Sequence, residues 1–398
     1  MYSLLAGLRV IEASSFVASP TAGLYLAQMG AEIIRVDQIG GGPDFHRWPK
    51  AANGASLYWE NLNRAKKSVA LDLGREEGRE LLQALVAATG QFITNFPVNG
   101  FLAHETLVER RPDLVTVRVM GMADGGPALD YTVNAAVGFP DLTGEGPEPV
   151  NHILPAWDLL TGAYAAFAML AALRHRDATG AGQEVRIPLS DVAIGSVANL
   201  GMLAEVLTTG HNRERLGNTV YGAFGRDFTT ADNIHLMVMA ITPRQWTGLV
   251  KVLDIAAEVA AIESARGVSF AIDEGVRFEH RDALFPLVEA RVSNRNFAEL
   301  KAAFDANGCC YGPYRTMQQA AQDPALVGNN PIFTFPDNPS GEHYPAAGAM
   351  ASIPQLERQP AAAAPMLGQH TDEILESVLG LPFGSIAALH DKGLIAQA

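Results

Sequence analysis

LRVIEASSFVASPTAGLYLAQMGAEIIRVD, residues 8–37, contains two strand-like runs separated by one helix-like run. The runs LRVIEAS and AEIIRVD are rich in branched apolar residues, as buried strands are, and the segment between them has a helical pattern. We expect Ser19 to be the N-cap of this helix, Pro20 its first residue and Gly30 its C-cap. The stretch therefore predicts a strand, a helix and a second strand, which is a βαβ unit.

The same alternation continues along the first third of the chain. Strand-like runs occur at KSVALDL (67–73), QFITNF (91–96) and LVTVRVMG (114–121), and helices are expected over Glu76–Ala88 and near His104–Arg110. Strands that alternate with helices predict an α/β fold with a doubly wound, Rossmann-like parallel sheet.

Further helices are expected after this region. AWDLLTGAYAAFAMLAALRHRD (156–177) has the pattern of one long helix, and it is followed by the strand EVRIPL (184–189) and by a helix over Asp191–Thr208. Beyond Phe228 the pattern changes to a strand pair around NIHLMVMA and to amphipathic helices. These helices are expected over Arg244–Leu253, Arg281–Val292 and Phe297–Asn307.

The change of pattern predicts the domain organisation. Residues 1–210 are expected to form a large α/β domain, and residues 228–331 a smaller α+β domain. Residues 332–398 are expected to return to the large domain, with a helix that begins at Asp372 and has Thr371 as its N-cap.

Composition excludes several classes of function. The formal net charge of −14 argues against nucleic-acid binding, which needs clustered Lys and Arg. The two cysteines, Cys309 and Cys310, are adjacent, so they cannot form a disulfide framework or a zinc site, and their use fits a reducing cytoplasm. The N-terminus lacks the pattern of a signal peptide, and the apolar stretch Leu159–Leu173 is too short to span a bilayer. We therefore expect a cytoplasmic protein with no membrane partner.

The first βα turn argues against a nicotinamide enzyme. It has the sequence SSFVASPTAG and lacks the G-x-G-x-x-G pattern that lets the backbone approach a pyrophosphate. Asp37 ends the second strand, where a ribose-binding acid would lie, but a single Asp at a strand end is more often a solvated turn residue.

Several blocks in order along nearly the whole chain resemble the family III (CaiB/BaiF) coenzyme A transferases. These blocks are LAGLRVIEASSFVASP, LAQMGAEIIRVDQIGGGPDFHRW, LNRAKKSVALDL, FITNF, HRDATGAGQEVRIPLSDV, DPALVGNNPIF and PMLGQHTDEIL. The resemblance implies an interlocked homodimer, an acyl-CoA substrate, and no metal or prosthetic group. Coenzyme A (CoA) enters only as the carrier part of the substrate.

The resemblance also implies a nucleophile. The family has an Asp at the start of the long helix, and here that residue is Asp158 in PAWDLLTG. A carboxylate at a helix N-terminus faces unpaired N–H groups and the positive end of the helix dipole, so we expect it to stay ionised at neutral pH. The alternative is that Asp158 only caps its helix. The reaction implied is attack of Asp158 on the thioester carbonyl, followed by formation of an aspartyl-CoA thioester.

Other site residues follow from the same resemblance or from the charge that the substrate needs. The residues expected to contact CoA are Val17, Arg35, Lys66, Asn95, Phe96 and Tyr131. The residues expected to contact the acyl part or its developing oxyanions are Arg47, His152, Phe224, Gly225 and Arg226. A buried structural role for His152 and a surface role for Lys66 are the alternatives.

Within the family, DYTVN, VNHILPAWD, LGMLAEV and YGAFGRDF resemble the branch that moves CoA between the C1 and C4 carboxyls of mesaconyl-CoA. A racemase fits poorly, because Leu129 stands where that branch has a catalytic His; a formyl-CoA transferase also fits poorly, because Val17 replaces a Gln. An intermolecular CoA transferase and a non-catalytic CoA-binding protein remain alternatives. For an intramolecular transfer, the second carboxylate of the same molecule is the acceptor at high effective concentration.

Overall fold

The computed structural model describes every residue from 1 to 398. It divides into two compact units, of which the first comprises residues 1–138, 152–211 and 324–398 and the second comprises residues 139–151 and 212–323. The sequence-based division put the small domain at 228–331. The observed second unit begins earlier, ends earlier and also includes a short segment from before the long helix.

The strands are β1 (Arg9–Ala13), β2 (Glu32–Gln38), β3 (Lys67–Leu71), β4 (Gln91–Thr94), β5 (Val115–Met120), β6 (Gln183–Pro188), β7 (Phe224–Thr229), β8 (His235–Ala240), β9 (Cys310–Pro313), β10 (Phe333–Thr334), β11 (Ala346–Ala347) and β12 (Ile395–Ala396). The helices are α1 (Ala18–Gln28), α2 (Leu57–Leu62), α3 (Glu76–Thr89), α4 (His104–Val108), α5 (Asp130–Ala136), α6 (Phe139–Leu142), α7 (Ala156–Thr179), α8 (Leu189–Asn199), α9 (Met202–Thr209), α10 (Pro243–Leu253), α11 (Ala256–Arg266), α12 (Glu274–Glu279), α13 (Arg281–Val292), α14 (Phe297–Asn307), α15 (Met317–Gln322), α16 (Thr371–Leu379) and α17 (Phe383–Asp391), with a π-helical turn at Pro324–Gly328.

The first unit is built on a seven-stranded sheet in the order β12-β3-β2-β1-β4-β5-β6. All neighbouring strands are parallel except β12, which pairs antiparallel with β3. Val10 packs with α1 and α7 on one face, and the next residue, Ile11, packs with α3 and α16 on the other, as the alternation of a strand requires. The prediction of a doubly wound parallel sheet is confirmed.

The start of α1 differs from the prediction. The helix begins at Ala18 with Val17 in the N-cap position, and the Ser19 hydroxyl is buried without a hydrogen-bond partner. Ser19 therefore does not cap the helix. Met29 is the C-cap, and Gly30 follows it with φ 102°, a left-handed conformation that favours glycine.

Two other helix predictions need correction. The helix expected over 191–208 is interrupted, since Gly201 has φ 76° and separates α8 from α9. Helix α16 begins at Thr371, with His370 rather than Thr371 in the N-cap position.

Helix α7 forms the long inner helix of the first unit. It has 24 residues and is therefore longer than the apolar stretch Leu159–Leu173, which is too short to span a bilayer. The length and composition of the whole helix would allow it to cross a bilayer. Half of its most apolar window is nevertheless buried within the protein, as in the core helix of a soluble protein. It packs tightly against α1 at Gly162, where an added Cβ would lie 2.6 Å from the Ala18 carbonyl oxygen.

The second unit contains an antiparallel sheet in the order β7-β8-β9, and helices pack against it. Its core includes Phe224, whose ring contacts those of Trp246 and Phe285. Helices α13 and α14 match their predicted bounds, and α10 starts one residue earlier than predicted. Helices α11 and α12 were not predicted.

Candidate active site

A large pocket lies at the carboxyl ends of the central parallel strands. It has a volume of about 700 Å³, and its wall includes the loops that follow β1, β4 and β5. The chain order reverses between β1 and β4, because β2 and β3 lie on one side of β1 and β4 and β5 on the other. Open α/β sheets bind ligands at such a switch point. Four predicted site residues line this pocket, which we call the Asp158 pocket: Val17, Asn95, Phe96 and Asp158.

Asp130 occupies the N-terminus of α7. Its Oδ2 accepts hydrogen bonds from the backbone N–H groups of Trp157 at 2.7 Å and Asp158 at 3.0 Å. Its Oδ1 lies 2.7 Å from His152 Nε2. Asp130 itself is buried, and it comes from the first turn of α5. The capping carboxylate of the long helix is therefore Asp130 and not Asp158.

This arrangement changes the electrostatics of Asp158. Burial is the largest effect and the Asp130 carboxylate is the second, and together they raise the pKa of Asp158 from 3.8 to about 6, while Arg47 acts in the opposite direction. The expectation that free helix N–H groups stabilise the ionised form was wrong, because Asp130 already accepts from two of them. With a pKa of about 6 the side chain is still largely ionised at pH 7, and it is a stronger base than an ordinary Asp.

The turn after β1 is held in an unusual conformation beside Asp158. Phe16 has φ 70°, which is rare for a bulky residue, and its N–H donates to Asp44 Oδ2 at 3.1 Å. The Asn95 side chain bonds both backbone groups of Ser15, accepting from the N–H at 3.2 Å and donating to the carbonyl at 3.0 Å. The next N–H groups, those of Val17 and Ala18, donate to no protein acceptor, and both residues line the pocket.

Lys66 and Arg35 do not face the pocket. The Lys66 ammonium is buried and donates to Glu12 at 2.9 Å, to the Pro20 carbonyl at 2.9 Å and to Asn63 Oδ1 at 3.0 Å. Three donors therefore have protein acceptors, and none remains for a phosphate. The buried Arg35 guanidinium likewise pairs with carboxylates. Its partners are Glu12, Asp37 and Asp44.

The interpretation of Lys66 and Arg35 as CoA contacts therefore needs correction: both belong to a buried ion network beneath the turn at Phe16. Asp37, which had been considered as a ribose ligand, is buried in the same network and holds Arg35 at 2.8 Å. Through Asp44, this network also fixes the N–H of Phe16.

A second, mostly apolar pocket of about 490 Å³ also has Val17 in its wall. We call it the leucine pocket, because four leucines line it together with Val17, Tyr58 and a few other side chains. These leucines are Leu57, Leu62, Leu154 and Leu159. Val17 belongs to the walls of both pockets, so the turn after β1 separates them.

Arg47 lies beside this turn. Its guanidinium is 5.3 Å from the centre of the Phe16 ring and 5.2 Å from that of Tyr58, so it sits against two aromatic side chains. It forms no salt bridge within the chain, although it is close enough to Asp158 to lower the pKa of that carboxyl. Burial raises the pKa of Tyr58 to about 12, and the Tyr58 hydroxyl has no hydrogen-bond partner.

Tyr131 and His152 lie next to each other near Asp130. The Tyr131 hydroxyl donates to the Ile153 carbonyl at 3.0 Å, and its exposed ring meets the His152 ring edge to face at 5.9 Å between centres. His152 bonds Asp130, which in turn bonds the start of α7. His152 is thus linked to the backbone N–H of Asp158 through Asp130.

The predicted residues Phe224, Gly225 and Arg226 all belong to the second unit. They were expected to contact the acyl part or its oxyanions, but Phe224 and Gly225 lie in strand β7, opposite residues of β8, and the Phe224 side chain is completely buried. The Arg226 guanidinium lies over the Phe228 and Phe285 rings and pairs with Glu289 at 3.1 Å. None of the three residues lines the Asp158 pocket.

Three side chains of the site were not singled out from the sequence: Asp130, Tyr58 and Asp44. Asp130 is the first residue of DYTVN and follows Ala128 and Leu129. In the sequence this position resembles an ordinary helix start. Across the whole chain, no group of three or more His, Cys, Asp or Glu side chains comes together in a way that could hold a metal ion.

The fold and this site can be compared with known proteins. The profile of CoA-transferase family III matches residues 5–371, so the chain belongs to that family. It is 43% identical to 2-methylfumaryl-CoA isomerase of Chloroflexus aurantiacus, over 100% of this chain and 98% of that protein. It is 30% identical to the succinyl-CoA–D-citramalate CoA-transferase of the same organism, over 97% of each. A CaiB/BaiF family protein from Brucella suis has a similar structure, with TM-score 0.77 and 26% identity over 95% of this chain and 100% of that one. The resemblance identified from the sequence is confirmed.

Proposed function

We propose that this enzyme is a 2-methylfumaryl-CoA isomerase, which moves CoA between the C1 and C4 carboxyls of mesaconyl-CoA. The observation that carries the proposal is the full-length 43% identity to an isomerase of that name, together with a pocket that has Asp158 in its wall. If Asp158 only capped its helix, there would be no reason to expect a pKa raised to about 6 for a side chain that lines a cavity.

In the proposed reaction, one Asp158 oxygen attacks the C1 thioester carbonyl. The C–S bond breaks, CoA leaves as thiolate, and a mixed anhydride joins Asp158 to the acyl group. The thiolate then attacks the Asp158 carbonyl carbon, which gives an aspartyl-CoA thioester and releases the C1 carboxylate. The C4 carboxylate attacks this thioester, and the returning thiolate cleaves the second anhydride at C4. Asp158 is regenerated, and no proton, metal or external acceptor is consumed.

The residues of the pocket support each step. The raised pKa makes Asp158 a better nucleophile while leaving it ionised at neutral pH. The N–H groups of Val17 and Ala18 have no protein acceptor, so they are available for the oxyanions that form during acyl transfer. The strained turn at Phe16 orients them before the substrate arrives. Asn95 and Phe96 form the part of the wall along which the pantetheine arm would lie.

We propose that the enzyme is an interlocked homodimer. This is supported by helix α7, which exposes large apolar side chains although it is a core helix of the first unit. These side chains are Leu160, Tyr164, Phe167 and Leu170. A cytoplasmic location fits the two free cysteines, Cys309 and Cys310.

The alternative function is an intermolecular transfer from a dicarboxylyl-CoA to a free acid, which the 30% identity to the succinyl-CoA–D-citramalate CoA-transferase supports. One experiment separates the two. The enzyme is incubated with unlabelled mesaconyl-C1-CoA and an excess of ¹³C-labelled free mesaconate, and the C4 thioester is analysed by mass spectrometry. The isomerase produces unlabelled C4 thioester. Label in the product at the fraction of the free pool would instead show that the acid is exchanged at every turnover.

A further inference from the structure

An intramolecular transfer poses a retention problem. After the aspartyl-CoA thioester forms, the acid is no longer covalently bound, yet it must present its other carboxylate before it diffuses away. The leucine pocket offers the carbon skeleton an apolar surface but few polar partners. Asn61 and Tyr344, which also line it, hydrogen-bond to each other and to further protein groups, so they are already occupied.

Three cations were considered from the sequence as ligands of the free carboxylate, and their surroundings differ. His152 bonds Asp130, and Arg226 pairs with Glu289. Arg47 has no carboxylate partner in the chain, and its guanidinium lies over the rings of Phe16 and Tyr58. Stacking on aromatic faces leaves the edge of the guanidinium, with its fork of N–H donors, free to bind a carboxylate.

The reaction itself changes the charge that Arg47 faces. In the resting enzyme the Asp158 carboxylate lies within Coulombic range of Arg47. When Asp158 becomes a thioester it loses that charge, and at the same step the acid becomes a free dianion. Arg47 therefore has its strongest preference for a carboxylate ligand at the stage at which the acid could escape. The nearby Asp44 does not compete, because its carboxylate already pairs with Arg35 at 3.1 Å.

We propose, on the basis of the function proposed above, that Arg47 holds the free carboxylate of the released dicarboxylate and so keeps CoA transfer within one molecule. The unpartnered hydroxyl of Tyr58 is a second donor to the same group. The acid then turns end for end between Asp158 and Arg47, so that each of its carboxylates is bound by Arg47 in one half of the reaction.

The test uses the labelled-mesaconate experiment on variants of the full-length enzyme. Arg47→Gln removes the charge and the fork of donors from an exposed side chain, and Arg47→Lys keeps only the charge. A charge-assisted hydrogen bond contributes about tenfold or more in affinity, so we expect escape of the acid to rise at least about tenfold in Arg47→Gln. Labelled C4 thioester should then appear, with Arg47→Lys between wild type and Arg47→Gln.

Arg281→Gln is the matched control, since Arg281 also rests on an aromatic ring, with its guanidinium 4.3 Å from the centre of Phe278, in the second unit. It should show no label exchange. If Arg47→Gln turns over slowly but its product stays unlabelled, the retention role is refuted while the isomerase function stands. If the wild-type enzyme already incorporates label freely, the isomerase function itself fails. Retained thermal stability of each variant shows that the comparison is between folded enzymes.

Discussion

Asp158→Asn is expected to abolish turnover and, at neutral pH, to stabilise the protein. The variant lacks the carboxylate oxygen that attacks the thioester in the proposed reaction, so no acyl-enzyme should form. Stability should rise because the folded state holds an ionised carboxylate that is half-buried and lies near the Asp130 carboxylate, whereas the amide carries no charge. Catalytic residues held in unfavourable surroundings commonly show this opposition between activity and stability.

The size of the effect follows from the pKa. The rise in the pKa of Asp158 from 3.8 to about 6 corresponds to a loss of folding free energy of at most about 3 kcal/mol. Asp158 is not fully buried, and water screens part of the repulsion, so we expect about 1–2 kcal/mol. The size of this cost depends on pH. Above about pH 6 the side chain is charged in both states and the full cost is present; below about pH 3.8 it is neutral in both, and the cost disappears.

The measurement is urea denaturation of wild type and variant at pH 7.5 and at pH 4, followed by tryptophan fluorescence. Three of the four tryptophans, Trp48, Trp59 and Trp157, lie in the first unit with Asp158, so the signal reports mainly on that unit. The variant should be more stable at pH 7.5, and the difference should shrink towards zero at pH 4. A variant that is less stable than wild type, or a difference that does not depend on pH, would refute the reasoning.

Three further predictions concern other parts of the site. In Asp130→Asn the pKa of Asp158 should fall, because the neighbouring Asp130 charge that helps to raise it is removed. The acid limb of kcat/KM should therefore move below its expected position near pH 6, and an unchanged pH profile would contradict this. Lys66→Met should destabilise the fold by about 3–5 kcal/mol, because Glu12 loses the nearer of its two buried cationic partners, as denaturation will show. A normal stability with a raised KM for the acyl-CoA would instead point to a phosphate contact. Gly162→Ala should destabilise by about 1–3 kcal/mol through overpacking of α1 against α7, and a calorimetric transition at the wild-type temperature would contradict it.

Hydrophobic periodicity predicted most elements of the fold because burial depends on local pattern. The helices at 281–292 and 297–307 were predicted with the observed bounds. Helix ends were harder. The start of α1 was placed at Ser19 and Pro20, whereas the helix begins one residue before Ser19, because the tertiary contacts that fix Phe16 decide where the chain enters the helix.

The site shows the same limit. Lys66 near a strand start resembles a surface lysine or a phosphate ligand, and its actual partner, Glu12, is 54 residues away in the chain. Neither residue alone indicates that the other will be buried beside it. Likewise Asp130 caps a helix that begins 26 residues later, and local sequence patterns carry no signal for a cap from a different helix.

The pairing of β12 with β3 has a consequence for the order of events during synthesis. Every residue of the second unit is translated before Ile395 and Ala396, which cover the outer edge of the large sheet. At about 5–20 residues per second, the ribosome needs roughly 16–65 s to add the residues between β3 and β12. For that time the β3 edge is open to other nascent chains, and unpaired strand edges promote aggregation. The synthesis of Ile395 and Ala396 thus determines how long the β3 edge stays unpaired and prone to aggregation.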